Sequence, residues 1–114
     1  MDAAYTLQIH VAEHDRHRGE LMYEWILEHA RSLGIPGGTA LRSIAGYGRQ
    51  QGAQQQHGLM DLTPNLPIVL QFLCSAQQID NLVSLLASEQ LNLFYTRTST
   101  RIGWTHPTTL QSMG

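Results

Sequence analysis

The chain contains no lysine; its seven basic residues are all arginine, set against nine acidic residues and six histidines. With a formal net charge of -2 and a pI near 6.3, it lacks the basic patch and high pI by which proteins neutralise a nucleic-acid backbone. The basic run Arg16-His17-Arg18 is too short to supply one, so no nucleic-acid partner is expected. Cysteine is nearly absent as well. Cys74 stands alone, which excludes a disulfide framework and a thiolate metal cluster and points to a reducing compartment, the cytoplasm. No long apolar run exists either: Pro67–Cys74 is interrupted by Gln71 and is far too short to insert in a bilayer. Residues Met1–Tyr5 show no charged leader or apolar core of a signal peptide. There is no Gly-x-Ser-x-Gly, and Cys74 ends an apolar strand where a thiol is inert, so a non-enzymatic protein is expected.

What is present is a single domain's worth of chain, residues 1–114, with 42% hydrophobic residues. Tyr5 to Glu13 alternates, with Leu7, Ile9 and Val11 on one face and Thr6, Gln8, His10 and Ala12 on the other, which predicts a strand. A charged turn, Glu13–Gly19, leads into a helix over Glu20–Leu33 whose apolar face includes Trp25, Ile26, His29 and Ala30 and whose stop is Gly34 and Pro36. Further strands are predicted over Thr39–Ala45, Pro67–Cys74 and about Leu91–Thr98. Ser75 and Gln78 form a capping box before a second helix striped by Ile79, Leu82, Val83, Leu85 and Leu86. The order β-α-β-β-α-β predicts an α+β, ferredoxin-like domain: an antiparallel sheet with both helices on one face. Its core spans about residues 5–98, with a long flexible loop over 46–65 and a loose tail over 103–114. The other sheet face carries Val69, Leu73 and Phe94 and needs a cover, which predicts an oligomer.

The loop is the anomaly of length. Connections longer than about 12–15 residues are mostly functional or disordered. It opens on Gly46-Tyr47-Gly48, read either as a strand terminus and hinge or as a turn whose backbone N–H groups accept an anion. Arg42 and Arg49 flank that turn, and Arg97 and Arg101 lie near the end of the last strand, so these four are the candidate anion ligands. The Gln50–Gln56 run reads as an interaction-competent surface. His14, His17 and His57 offer imidazole donors and Asp15 a carboxylate for zinc or nickel, but His-x-x-His in a turn lacks a second pair and metal is the weaker reading. His10 points away from the helices, where an assembly could gather several copies.

Three stretches, Ile9–Ile26, Ala30–Gly48 and Asn65–Leu70, resemble the PII-like family catalogued as domain of unknown function 190. The family pattern falls on Glu13, Asp15, Gly19, Tyr23, Gly38-Thr39 and Gly46-Tyr47-Gly48. The resemblance implies a signalling homotrimer of ferredoxin-like subunits. Its inter-subunit clefts would take a small anionic metabolite, with an adenine nucleotide as the candidate cofactor. Its loop would meet a regulated partner protein such as a membrane transporter or channel. Ser88-Glu-Gln-Leu-Asn92 departs from the Gly- and Lys-rich turn that holds phosphates in ATP-binding PII proteins, so ATP is not implied. The alternatives are a metal-binding trimer resembling the copper-tolerance proteins of the same fold, or a ligand-free structural adaptor.

Overall fold

The period-two pattern near the amino end forms β1 (Ala4–Ala12), the strand on which the sheet is assembled. The computed structural model describes residues 4–47 and 65–106. After β1 come β2 (Arg16–His17), β3 (Glu20–Leu21), α1 (Met22–Ser32), β4 (Gly37–Arg42), β5 (Pro67–Cys74), α2 (Ala76–Ser88) and β6 (Tyr95–Thr100). The four long strands lie in the order β4-β5-β1-β6, every neighbour antiparallel. This is the ferredoxin-like arrangement that the element order predicts.

Register explains which side chains are buried. Leu7, Ile9 and Val11 of β1 stand opposite Phe72, Leu70 and Ile68 of β5. All six are buried beneath the helices with Trp25, Ile26, Ile79 and Leu82. The residues between them form the opposite face in three rows. Leu41, Val69, His10 and Phe94 make the first; Thr39, Gln71, Gln8 and Thr96 the second; Gly37, Leu73, Thr6 and Thr98 the third. None of these residues is aspartate, glutamate or arginine. Among the described residues the face is therefore only partly apolar, as Val69, Leu73 and Phe94 suggested, and it carries no carboxylate or guanidinium, His10 being its one titratable side chain.

Three boundaries differ from the sequence reading. The strand expected over Leu91–Thr98 begins at Tyr95, because Leu91 and Leu93 pack on the core from a loop. That loop starts where α2 ends in a Schellman motif, with Gln90 at φ 61° and Leu91 N–H donating to the Leu86 carbonyl. The strand expected over Thr39–Ala45 runs from Gly37 to Arg42. The first helix begins at Met22, because Glu20 and Leu21 pair with His17 and Arg16 in a small hairpin. Its turn residues, Arg18 and Gly19, both have positive φ, as a type I′ turn requires. Helix α1 ends in a second Schellman motif at Gly34, φ 86°, and the Ser75–Gln78 capping box of α2 forms in both directions. No helix among the described residues is long and apolar enough to cross a membrane.

Candidate functional site

Residues 43–66 leave and re-enter the sheet at the end where β1 finishes, and a set of polar contacts holds both feet of this connection. At the first foot, the Ser43 N–H and hydroxyl both donate to the Pro67 carbonyl, at 3.0 and 2.6 Å. At the second, Glu13 N–H donates to the Leu66 carbonyl (2.8 Å) and His14 N–H to Asn65 Oδ1 (2.6 Å). Asn65 Nδ2 in turn donates to Asp15 Oδ1 at 3.4 Å. The Asp15 carbonyl accepts from Met22 N–H at the start of α1, so one turn links the loop foot to the helix. Across the feet, Arg42 Nε lies 2.6 Å from Glu13 Oε2. The other carboxylate oxygen, Glu13 Oε1, is buried with no hydrogen-bond partner among the described residues. Just beyond this clamp, Ile44 and Tyr47 are almost wholly exposed.

The predicted ligand arginines are dispersed. Arg42 pairs with Glu13 through Nε, and its side chain remains 66% exposed. Arg97 stands opposite Leu7, four residues further down β1 than Val11, whose β5 partner Ile68 stands opposite Arg42. Its guanidinium lies 4.3 Å from the centre of the Tyr5 ring, a cation–π contact. Arg101 is exposed beyond β6, so within one chain Arg97 and Arg42 do not meet. Gly46 is not among the positive-φ residues, so its backbone is not in the left-handed geometry that an anion-holding turn uses. Gly48, Arg49 and His57, and with them residues 48–64, lie outside the described residues, as do residues 107–114 of the expected tail.

The other motif residues have local structural work. Gly19 makes the hairpin turn and Tyr23 packs against the core. Thr39 stands exposed on the uncharged face beside Gln71. Cys74 is buried, and that burial pushes its thiol pKa up against a weaker pull from Arg97.

A second polar cluster, which the sequence reading missed, lies where the hairpin meets the end of α2. Glu89 Oε1 sits 2.8 Å from His17 Nε2, and Arg18 donates to both carboxylate oxygens, at 2.6 and 3.3 Å. Glu89 caps the carboxyl end of α2, where the helix dipole disfavours an anion; the hairpin offsets this with the Arg18 guanidinium and a His17 ring nitrogen. His17 also packs edge-on against Trp25, with ring centroids 4.7 Å apart, and His29 stacks on the same indole at 3.8 Å. His17 is thereby committed to Glu89 and Trp25, and no group of three metal-ligating side chains occurs among the described residues. The hydrogen bonds from Arg18, then from His17, hold the Glu89 carboxyl down to about 2. Because its folded value lies below the ordinary carboxylate range of about 4.3, its contribution is complete above that range and is lost as pH falls through about 2. Urea unfolding of the wild type should therefore weaken more between pH 5 and pH 2 than that of Glu89→Gln. Equal acid sensitivity in the two chains would show that this cluster contributes nothing to folding.

Comparison with known proteins bears on what this geometry serves. The chain matches DUF190, a family described as an uncharacterized ACR, over residues 4–98. It is 33% identical over 73 residues to a UPF0166 protein of Aquifex aeolicus (strain VF5), covering 64% of this chain and 69% of that one. A UPF0166 protein of Methanocaldococcus jannaschii is 35% identical over 71 residues, 62% of this chain and 64% of its own length. Among solved structures, a candidate PII-like signalling protein from Thermus thermophilus superposes with a TM-score of 0.53 at 19% identity, covering 88% of this chain and 93% of that one. That likeness establishes the shared fold.

Proposed function

The chain belongs to the DUF190 family, and from that premise we propose that it is a non-enzymatic, PII-like regulatory protein of the cytoplasm. It assembles as a homotrimer through its uncharged sheet face, and it contacts a regulated protein, such as a membrane transporter or channel, through the 46–58 loop. A small anionic metabolite, with an adenine nucleotide as first candidate, binds at the foot of that loop and changes which conformation it presents.

The observation that carries this reading is the clamp. Glu13–Arg42, Ser43–Pro67 and Asn65–Asp15 tie both ends of a long connection to the start of β5 and to the turn that follows β1. Ile44 and Tyr47 stand exposed beside it, and tyrosine is among the residues that anchor protein interfaces. Because register separates Arg42 from Arg97 within one chain, a cleft using Arg42, Arg49, Arg97 and Arg101 together would draw them from two copies.

Thermal-shift measurement against AMP, ADP, ATP, cyclic nucleotides and divalent metals tests the ligand. A ligand at one hundred times its Kd stabilises by about 2.7 kcal/mol, a shift of several degrees or more. The expected result is a response to a nucleotide that carries fewer than three phosphates, reduced in Arg49→Gln. A response to zinc or nickel alone, lost in the double variant His14→Ala, His17→Ala, would replace this reading with the metal-binding one.

A further inference from the structure

The face of the sheet away from the helices carries one titratable side chain among the described residues, His10. Its surroundings are uniformly neutral. On its own strand it is flanked by Gln8 and Ala12. From β5 it faces Val69, with Pro67 and Gln71 to either side. From β6 it meets Thr96 and Phe94, whose ring centroid is 5.3 Å from that of the imidazole. The nearest ion pair along the register, Arg42 with Glu13, involves an arginine on the helix side, since Arg42 stands opposite the buried Ile68. No carboxylate therefore faces His10 from any strand packed against it, and Gln8 and Gln71 hydrogen-bond each other at 3.1 Å.

We propose that protonation of His10 dissociates this chain from further copies of itself, so that face-to-face assembly is switched off in weak acid. The inference rests on the assembly proposed above and adds its regulation. A second copy suits this face because two uncharged surfaces meet without like-charge repulsion and without stranding an ion, whereas a charged partner would find no complement. The same composition makes the switch. A neutral imidazole can be covered as the glutamine side chains are, but an imidazolium covered by an identical face loses its hydration and gains no carboxylate. Imidazole is the side chain that acquires charge between physiological and weakly acid pH. Association thus favours the deprotonated form and weakens as the ring is protonated.

Sedimentation velocity of the full chain at pH 8 and pH 5.5 tests this, with far-UV circular dichroism confirming that the fold persists at both. The wild type should be oligomeric at pH 8 and shift to monomer at pH 5.5, its dissociation constant at least about tenfold higher at the lower pH. His10→Gln should stay oligomeric at both values, and His10→Arg should be monomeric at both. A wild type equally associated at both values, or a His10→Gln chain that dissociates in acid as the wild type does, would overturn the switch while leaving the assembly intact. A wild type that is monomeric already at pH 8 would overturn the assembly reading itself, and the switch with it.

Discussion

Replacing Phe72 with alanine is expected to lower the unfolding free energy by about 3–5 kcal/mol. For a domain near this size that corresponds to a fall in Tm on the order of 15–30 °C. The ring is 1% exposed and stands in register between Leu7 of β1, which is fully buried, and Gly38 of β4. Gly38 is what makes room for it. A Cβ built at Gly38 would lie 2.7 Å from Phe72 Cε1 and 2.8 Å from Cδ1, with Leu27 Cδ2 at 3.2 Å. Gly38→Ala should therefore destabilise by about 1–3 kcal/mol through overpacking, although its backbone has no positive φ. In a Phe72→Ala background the same substitution should cost much less, because both ring atoms that the new Cβ would meet, Cε1 and Cδ1, are gone. A double-mutant cycle in urea reads this coupling directly. Strict additivity of the two changes would show that the glycine serves some purpose other than the ring.

How much of this was legible beforehand follows from the range over which each signal acts. The period-two run through Leu7, Ile9 and Val11, the stripe through Ile79 and Leu82, and the Ser75–Gln78 box are local patterns, and they specified the four long strands, both helices and their order. The β2–β3 hairpin was hidden because two-residue strands carry no periodicity, and of its turn only Gly19 announced a positive φ. Leu91 and Leu93 suggested a strand because apolar side chains are needed equally by a strand and by a loop that folds back on the core. The candidate site was less legible still. The pairing of Arg42 with Glu13 was not legible until β4 was placed beside β5, which brought the guanidinium to Glu13 from a distant part of the chain. Glu89 gave no sign of binding His17 and Arg18, because nothing in either segment encodes that approach. The uncharged face was present in the sequence but dispersed over four strands, and only register assembled it.

That face carries the second large expected effect. On the proposed assembly, Val69→Arg should leave the chain monomeric at pH 8, raising the dissociation constant by on the order of 100- to 1,000-fold or more. The estimate follows from the about 3–5 kcal/mol cost of leaving a charge buried without a partner, at about 1.4 kcal/mol per tenfold. Val69 lies in the row of Leu41, His10 and Phe94, opposite both Leu41 and His10. An arginine there finds no acid on its own face, and the same face of another copy adds only a second arginine. Within a single chain the substitution should be mild, because Val69 points away from the core that Ile68 and Leu70 enter on either side of it. Sedimentation gives the dissociation constant, and urea unfolding at a concentration where both chains are monomeric gives the intrinsic stability. Loss of assembly with unfolding free energy held to within about 0.5–1 kcal/mol would locate the interface on this face. A Val69→Arg chain that stays oligomeric would exclude the face as the contact, whatever its composition. The helix side offers no equivalent site for this test, because a charge at the neighbouring position, Leu70, would enter the core and unfold the monomer. Placing the charge at Val69 thus separates assembly from folding on a strand whose alternate side chains belong to different halves of the problem.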